Sequence, residues 1–95
     1  MKPFLWGPEK NEWLKHERGI SFERVVLHIE QSDVLDILEH PNPQKYQGQR
    51  ILVVQLEDYV YLVPCLEMED GVVLKTIFLS RKLTKQYVRK RSDNG

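Results

Sequence analysis

Cysteine is almost absent from this sequence: Cys65 stands alone among 95 residues. A lone thiol closes no internal disulfide and builds no thiolate metal site, so the expected compartment is the reducing cytoplasm. Histidine is scarce too. His16, His28 and His40 show no i, i+4 pairing and no helical His-Glu-x-x-His pattern, so neither a metal nor a cofactor is expected. The five glycines are scattered and form neither a Walker loop nor a dinucleotide-binding loop. No apolar run approaches the roughly 18–20 residues that cross a bilayer, and no membrane association is expected. The opening Met1-Lys2-Pro3-Phe4-Leu5-Trp6 meets Gly7, Pro8 and then charges, so it lacks the apolar core of a signal peptide. Internal repeats and low-complexity tracts are missing as well.

What is present is an ordinary globular composition, 41% hydrophobic and 29% charged. The length supports one domain with one modest core. That domain is expected over residues 1–91, with 92–95 as a flexible tail. Lys plus Arg and Asp plus Glu number 14 each, but the balance is local rather than uniform. Arg81, Lys82, Lys85, Arg89, Lys90 and Arg91 form an acid-free basic run. The preceding residues carry eight bases against thirteen acids, a net of −5. Such a run is either a solvated end or a polyanion-binding element on an acidic body.

Hydrophobic patterning predicts an α+β chain. Phe4-Leu5-Trp6 reads as a short strand. Pro8 and the acids Glu9 and Glu12 suit the first turns of a helix that runs to about Arg18, with Gly19 as its C-cap. Ser21 N-caps a second helix in which Phe22, Val25, Val26 and Ile29 fall at i, i+3, i+4 and i+7. Val34–Leu38 is a strand candidate that enters a loop at His40-Pro41-Asn42-Pro43. Arg50–Leu56 and Tyr59–Pro64, joined by Glu57-Asp58, make a hairpin. A turn over Glu67–Gly71 and a strand over Val72–Leu79 follow. Arg81 to about Lys90 closes the chain as a basic helix with Leu83, Tyr87 and Val88 as its apolar positions. The expected order is β-α-α-β-β-β-β-α around an antiparallel-dominated sheet. Phe22, Val25, Val26, Ile29, Val54, Leu62 and Leu74 are the expected core. Tyr59 and Tyr61 share one strand face and Val60 and Leu62 the other, so the tyrosines are either cross-strand packing or an aromatic platform.

Three segments carry a resemblance. Trp6-Gly7-Pro8-Glu9-Lys10-Asn11 resembles the W-D-P-E-K-N opening of BrnT-like toxins, with Gly7 in place of their aspartate. His16 and then Gly19-Ile20-Ser21-Phe22-Glu23 resemble their K-H-G-I-S-F-E segment, with Glu17-Arg18 inserted. Ser80-Arg81-Lys82-Leu83-Thr84 is similar to the S-A-R-R-A-T segment that opens their last helix. The resemblance implies a RelE-like fold and the toxin of a type II toxin–antitoxin pair. It further implies metal-independent cleavage of mRNA that inhibits translation, and silencing by a cognate antitoxin. Operator DNA would be reached only through the antitoxin complex.

Cleavage of that kind needs a base for the ribose 2′-OH and an acid for the leaving 5′-oxygen. It also needs cations for the phosphorane-like transition state. Arg81 suits the last role, because its planar fork binds two phosphate oxygens at the start of a helix. Lys75 and Lys82 are placed to assist. His16, the histidine within the resemblance, has the reference pKa for acid or base work, and is equally a helix-end histidine stabilised by the dipole. Tyr87 serves either as an acid or base-stacking ring or as the apolar anchor of its helix. Lys82, Lys85, Arg89 and Lys90 are the candidate RNA contacts. Two other functions fit the same scaffold: a noncatalytic RNA- or ribosome-binding module, and a protein-interaction domain.

Overall fold

Local signals fix the first two helices. Pro8 opens α1 (Pro8–Arg18), and Gly19 ends it at φ 64°, returning its N–H to the Leu14 carbonyl. A left-handed residue without a Cβ is the least strained way to stop a helix there. Ser21 caps α2 (Phe22–Glu30) by accepting the Arg24 N–H at 3.2 Å. The expected stripe faces inward, with Phe22 and Val25 fully buried and Val26 and Ile29 half-buried.

The computed structural model describes residues 2–39, 41–42, 44–45 and 47–89, excluding the Arg89 side chain. His40 and Lys90 lie outside the described residues. The strands are β1 (Phe4–Leu5), β2 (Val34–Glu39), β3 (Gln49–Leu56), β4 (Tyr59–Met68), β5 (Gly71–Leu74) and β6 (Phe78–Leu79). They form one sheet in the order β1-β5-β4-β3-β2, with β6 also pairing with β4. Only the β1–β5 pair is parallel. The protein is an α+β fold with a mostly antiparallel sheet. Gly71 is required where β1 crosses it, since a Cβ there would lie 2.8 Å from Leu5 Cδ1 and 2.9 Å from the Pro3 carbonyl oxygen.

Three expectations need correction. First, β4 does not stop at Pro64 but continues to Met68. Second, the single strand expected over Val72–Leu79 is two strands with a bulge between them, and Lys75 lies in that bulge rather than on a strand. Pro64 is the reason. Its carbonyl accepts the Lys75 N–H at 2.8 Å, but proline has no N–H to return, so the ladder breaks on that side. Register slips by one residue across the break, from Cys65↔Leu74 to Leu62↔Phe78. The bulge also leaves Thr76 Oγ1 buried with no hydrogen-bond partner among the described residues. Third, the last helix is not one regular element. A single α-turn, α3 (Arg81–Thr84), passes into a π-helical turn over Lys85–Arg89.

The main core lies between α1, α2 and one face of the sheet. There Leu14, Phe22 and Val25 meet Leu52, Val54, Val63, Leu74 and Ile77. Trp6 stacks on Phe22 with ring centroids 5.8 Å apart. Val53 and Val60, fully buried, belong to the opposite sheet face by strand alternation, and α3 and the π turn contact β4. Leu62, expected in the core, is only half-buried on this second face. Among the described residues no helix is long and apolar enough to cross a membrane.

Candidate nucleic-acid interface

Two elements meet to form the candidate site. The Glu57-Asp58 turn, with Glu57 at φ 56°, sends the chain back along β3. Strand alternation then puts Tyr59 and Tyr61 on the α1/α2 face and Val60 on the other. Further along, the chain passes β6 and is pinned to the edge of β4 at Val60. The Ser80 N–H donates to the Val60 carbonyl at 2.9 Å, and the Val60 N–H donates to Thr84 Oγ1 at 2.8 Å. Thr84 donates in turn to the Ser80 carbonyl at 2.7 Å, while Ser80 Oγ accepts the Leu83 N–H at 3.1 Å.

This docking sets the basic turn beside the tyrosines. A groove of ≈ 730 Å³ results, lined by Tyr59, Tyr61, Leu79, Arg81, Lys82, Thr84 and Lys85. Arg81, Lys82 and Lys85 are exposed, and among the described residues none has a carboxylate within ion-pair distance. Tyr59 is 51% exposed, so its ring is open to solvent beside the basic turn. Burial pushes the Tyr61 phenol above its usual range. Tyr59 and Glu57 add to that, and the Arg24 guanidinium opposes it. Arg24 is itself held by Glu57 at 2.9 Å. Tyr61 is therefore a protonated hydrogen-bond donor at neutral pH.

The residues singled out in the sequence separate into two groups. Arg81, Lys82 and Lys85 line the groove together with both tyrosines. His16, exposed on α1, Lys75, exposed in the bulge, and Tyr87, half-buried on the π turn, do not line it. The Arg89 side chain and Lys90 lie outside the described residues. Arg81 does not stand at the end of a full-length helix as expected: α3 is one turn long and Ser80 already occupies one of its free donors. The positive charge of the groove thus comes from side chains rather than a helix dipole. His28 is structural, its Nδ1 lying 2.9 Å from Asp33 Oδ2 at the α2–β2 link. Cys65 is buried, and that burial pushes its thiol up, away from the reactive thiolate. Among the described residues no three His, Cys, Asp or Glu side chains converge.

Several residues with a part here were not legible. Thr84 carries no signal in the sequence beyond its polarity, because its partner Val60 is 24 residues away. Arg18 belongs to the same class: its Nη1 donates to the Ile77 carbonyl at 2.6 Å, across 59 residues. Compared with known proteins, this chain matches no family model, no curated protein and no solved structure. What the groove can do is argued from its chemistry.

Proposed function

We propose that the chain binds RNA in this groove and is the toxin of a type II toxin–antitoxin pair of the BrnT and RelE-like kind. It acts in the cytoplasm by metal-independent cleavage of mRNA. The observation that carries the reading is the gathering of three exposed cations, none paired with a carboxylate among the described residues, and two tyrosines on one concave surface. Phosphates are held by Arg81, Lys82 and Lys85, and bases stack on the exposed ring of Tyr59. In the cleavage step the ribose 2′-oxygen bonds to phosphorus as the P–O5′ bond breaks. The cations stabilise the charge on the phosphorane, and a protonated phenol of the Tyr61 type supplies the proton for the 5′-oxygen. The 2′-OH proton passes to a general base, for which His16, the histidine within the resemblance, is the candidate although it lies outside the groove lining. A cognate antitoxin, rich in Asp and Glu where it covers the basic turn, silences the groove, and operator DNA is reached only through that complex.

One observation favours a second reading, a noncatalytic RNA- or ribosome-binding protein: among the described residues no imidazole lines the groove. Incubation of the purified chain with mRNA in EDTA separates the two. Fragments appear under the first reading, and binding without cleavage under the second. Under both, affinity falls steeply with salt. An RNA affinity that is flat against salt and indifferent to Lys82→Ala/Lys85→Ala would end both.

A further inference from the structure

The first groove runs on into a second, of ≈ 400 Å³, lined by Arg18, Ile20, Tyr61, Ile77, Phe78 and Leu79. The two share Tyr61 and Leu79. At the far side the Arg18 guanidinium lies over two rings at once, its Cζ 4.9 Å from the Trp13 centroid and 5.2 Å from that of Phe78. Lys10 Nζ stands 4.2 Å from the same Trp13 ring. Both rings remain open to solvent, Trp13 at 42% and Phe78 at 44%. Among the described residues no carboxylate lies within ion-pair distance of Arg18 or Lys10. The hydrogen bond from Arg18 Nη1 to the Ile77 carbonyl, 2.6 Å, holds the guanidinium in place. A fixed cation with no carboxylate partner among the described residues, set beside two half-exposed rings, suits a ligand that brings both a flat aromatic face and an anionic group.

We infer that this cluster is a second subsite of the same surface, where a nucleobase of single-stranded RNA stacks on Phe78 and the adjoining phosphate meets Arg18. The inference rests on the reading of the first groove as RNA-binding, and it names the form of RNA taken. A strand whose phosphates cross Arg81, Lys82 and Lys85 continues over Tyr61 and Leu79 into the second groove. Duplex RNA does not fit this pattern, because its bases are stacked inside the helix and proteins meet it through phosphates and 2′-hydroxyls. Apolar packing alone does not account for the site, since a ring kept half in water beside an arginine contributes little to a core.

The test measures binding of oligouridine and of a self-complementary duplex RNA to the full chain by fluorescence anisotropy. The wild-type chain is compared with Phe78→Leu, Phe78→Tyr and Lys82→Ala/Lys85→Ala. Phe78→Leu keeps apolar volume and loses the ring. It is expected to weaken oligouridine binding roughly 5- to 150-fold, the range of one base–aromatic stack, without changing the salt slope. Duplex affinity is expected to stay put, and Phe78→Tyr to bind oligouridine like the wild type. Oligouridine affinity unchanged in Phe78→Leu overturns the inference. So does an equal loss on oligouridine and duplex with a lowered melting temperature, which marks Phe78 as a structural staple. A wild-type chain that binds duplex but ignores oligouridine overturns it while leaving the first groove standing. If instead the double lysine variant keeps full affinity and salt slope, the reading of the first groove fails whatever Phe78 does.

Discussion

Val60 and Thr84 are joined by a buried hydrogen bond, 2.8 Å from the Val60 N–H to Thr84 Oγ1. Through it the sheet edge fixes the basic turn, because the same hydroxyl donates to the Ser80 carbonyl one turn earlier. One oxygen thus satisfies a strand donor that lacks a ladder partner and adds a second bond to the Ser80 carbonyl, which already accepts the Thr84 N–H at 3.0 Å. The side chains of Arg81, Lys82 and Lys85 take their places from this joint.

Thr84→Val keeps the shape and removes the hydroxyl. The Val60 N–H is left buried and unsatisfied, which costs about 1–3 kcal/mol. Urea denaturation should report that loss, while Thr84→Ser should recover most of it. RNA affinity should fall with Thr84→Val in native buffer, since the cations lose their fixed spacing. Equal stability of Thr84→Val and wild type would remove this joint from the account of the groove.

Asn11 makes a second joint, between the helices. It is buried, and its Oδ1 accepts the Phe22 N–H at 2.8 Å while its Nδ2 donates to Glu23 Oε1 at 2.7 Å. The Asn11 amide is the main reason that the Glu23 carboxyl is held below its usual 4.5. A lowered folded-state pKa stabilises the fold above the ordinary carboxylate range, and that contribution is lost as pH falls through the lower value. Asn11→Ala should move the Glu23 titration, followed by NMR, upward toward 4.5. It should also cost about 1–3 kcal/mol for the orphaned Phe22 N–H. A Glu23 titration unmoved by the substitution would show that other donors hold it.

The first two helices were readable because their signals are local. Pro8, Gly19 and Ser21 each act within one turn, and the Phe22 stripe needs only a helical period. Phe22→Ala should cost about 3–5 kcal/mol by chemical denaturation, as expected for a fully enclosed ring. The hairpin was readable for the same reason, since its two runs meet through two residues. The bulge was not. Lys75-Thr76-Ile77 continues a strand pattern, and what interrupts it is a proline on the neighbouring strand. The pairing of Arg18 with Phe78 is equally long-range, although Lys10 and Trp13 were visibly one turn apart. Tyr59 and Tyr61 could be assigned a shared face by alternation, but not a basic neighbour. That neighbour depends on where β6 delivers α3.

The raised Tyr61 pKa has a direct consequence at alkaline pH. The unfolded chain gives up the phenol proton near the usual 10.0, while the folded chain holds it longer, chiefly because of burial. Stability contributed by this group is therefore complete below 10.0 and is lost as pH rises through the folded-state value. Ultraviolet titration should show a late-ionising tyrosine that disappears in Tyr61→Phe. If Tyr61→Phe leaves the titration curve unchanged, the late proton belongs elsewhere. If the chain cleaves RNA as proposed, the same variant should lower the cleavage rate while keeping the groove's cations.

Arg81→Ala is the most direct trial of the groove. The guanidinium is exposed, and among the described residues no carboxylate holds it. Removing such a side chain should change stability by less than about 1 kcal/mol, so the melting temperature should barely move. RNA affinity should drop, and the slope of log affinity against log salt should fall by about 1, the signature of one lost phosphate contact. If the chain cleaves RNA, the rate in EDTA should fall further, by about 10²–10³, because charge on the phosphorane loses its strongest counter-ion. Growth arrest on induction should fail in step with the rate. Arrest that persists at wild-type strength in Arg81→Ala would remove this residue from the mechanism and move the search to His16 and Lys75. Lost affinity with cleavage absent in both proteins would instead favour the noncatalytic reading, in which Arg81 holds the strand and no bond is broken.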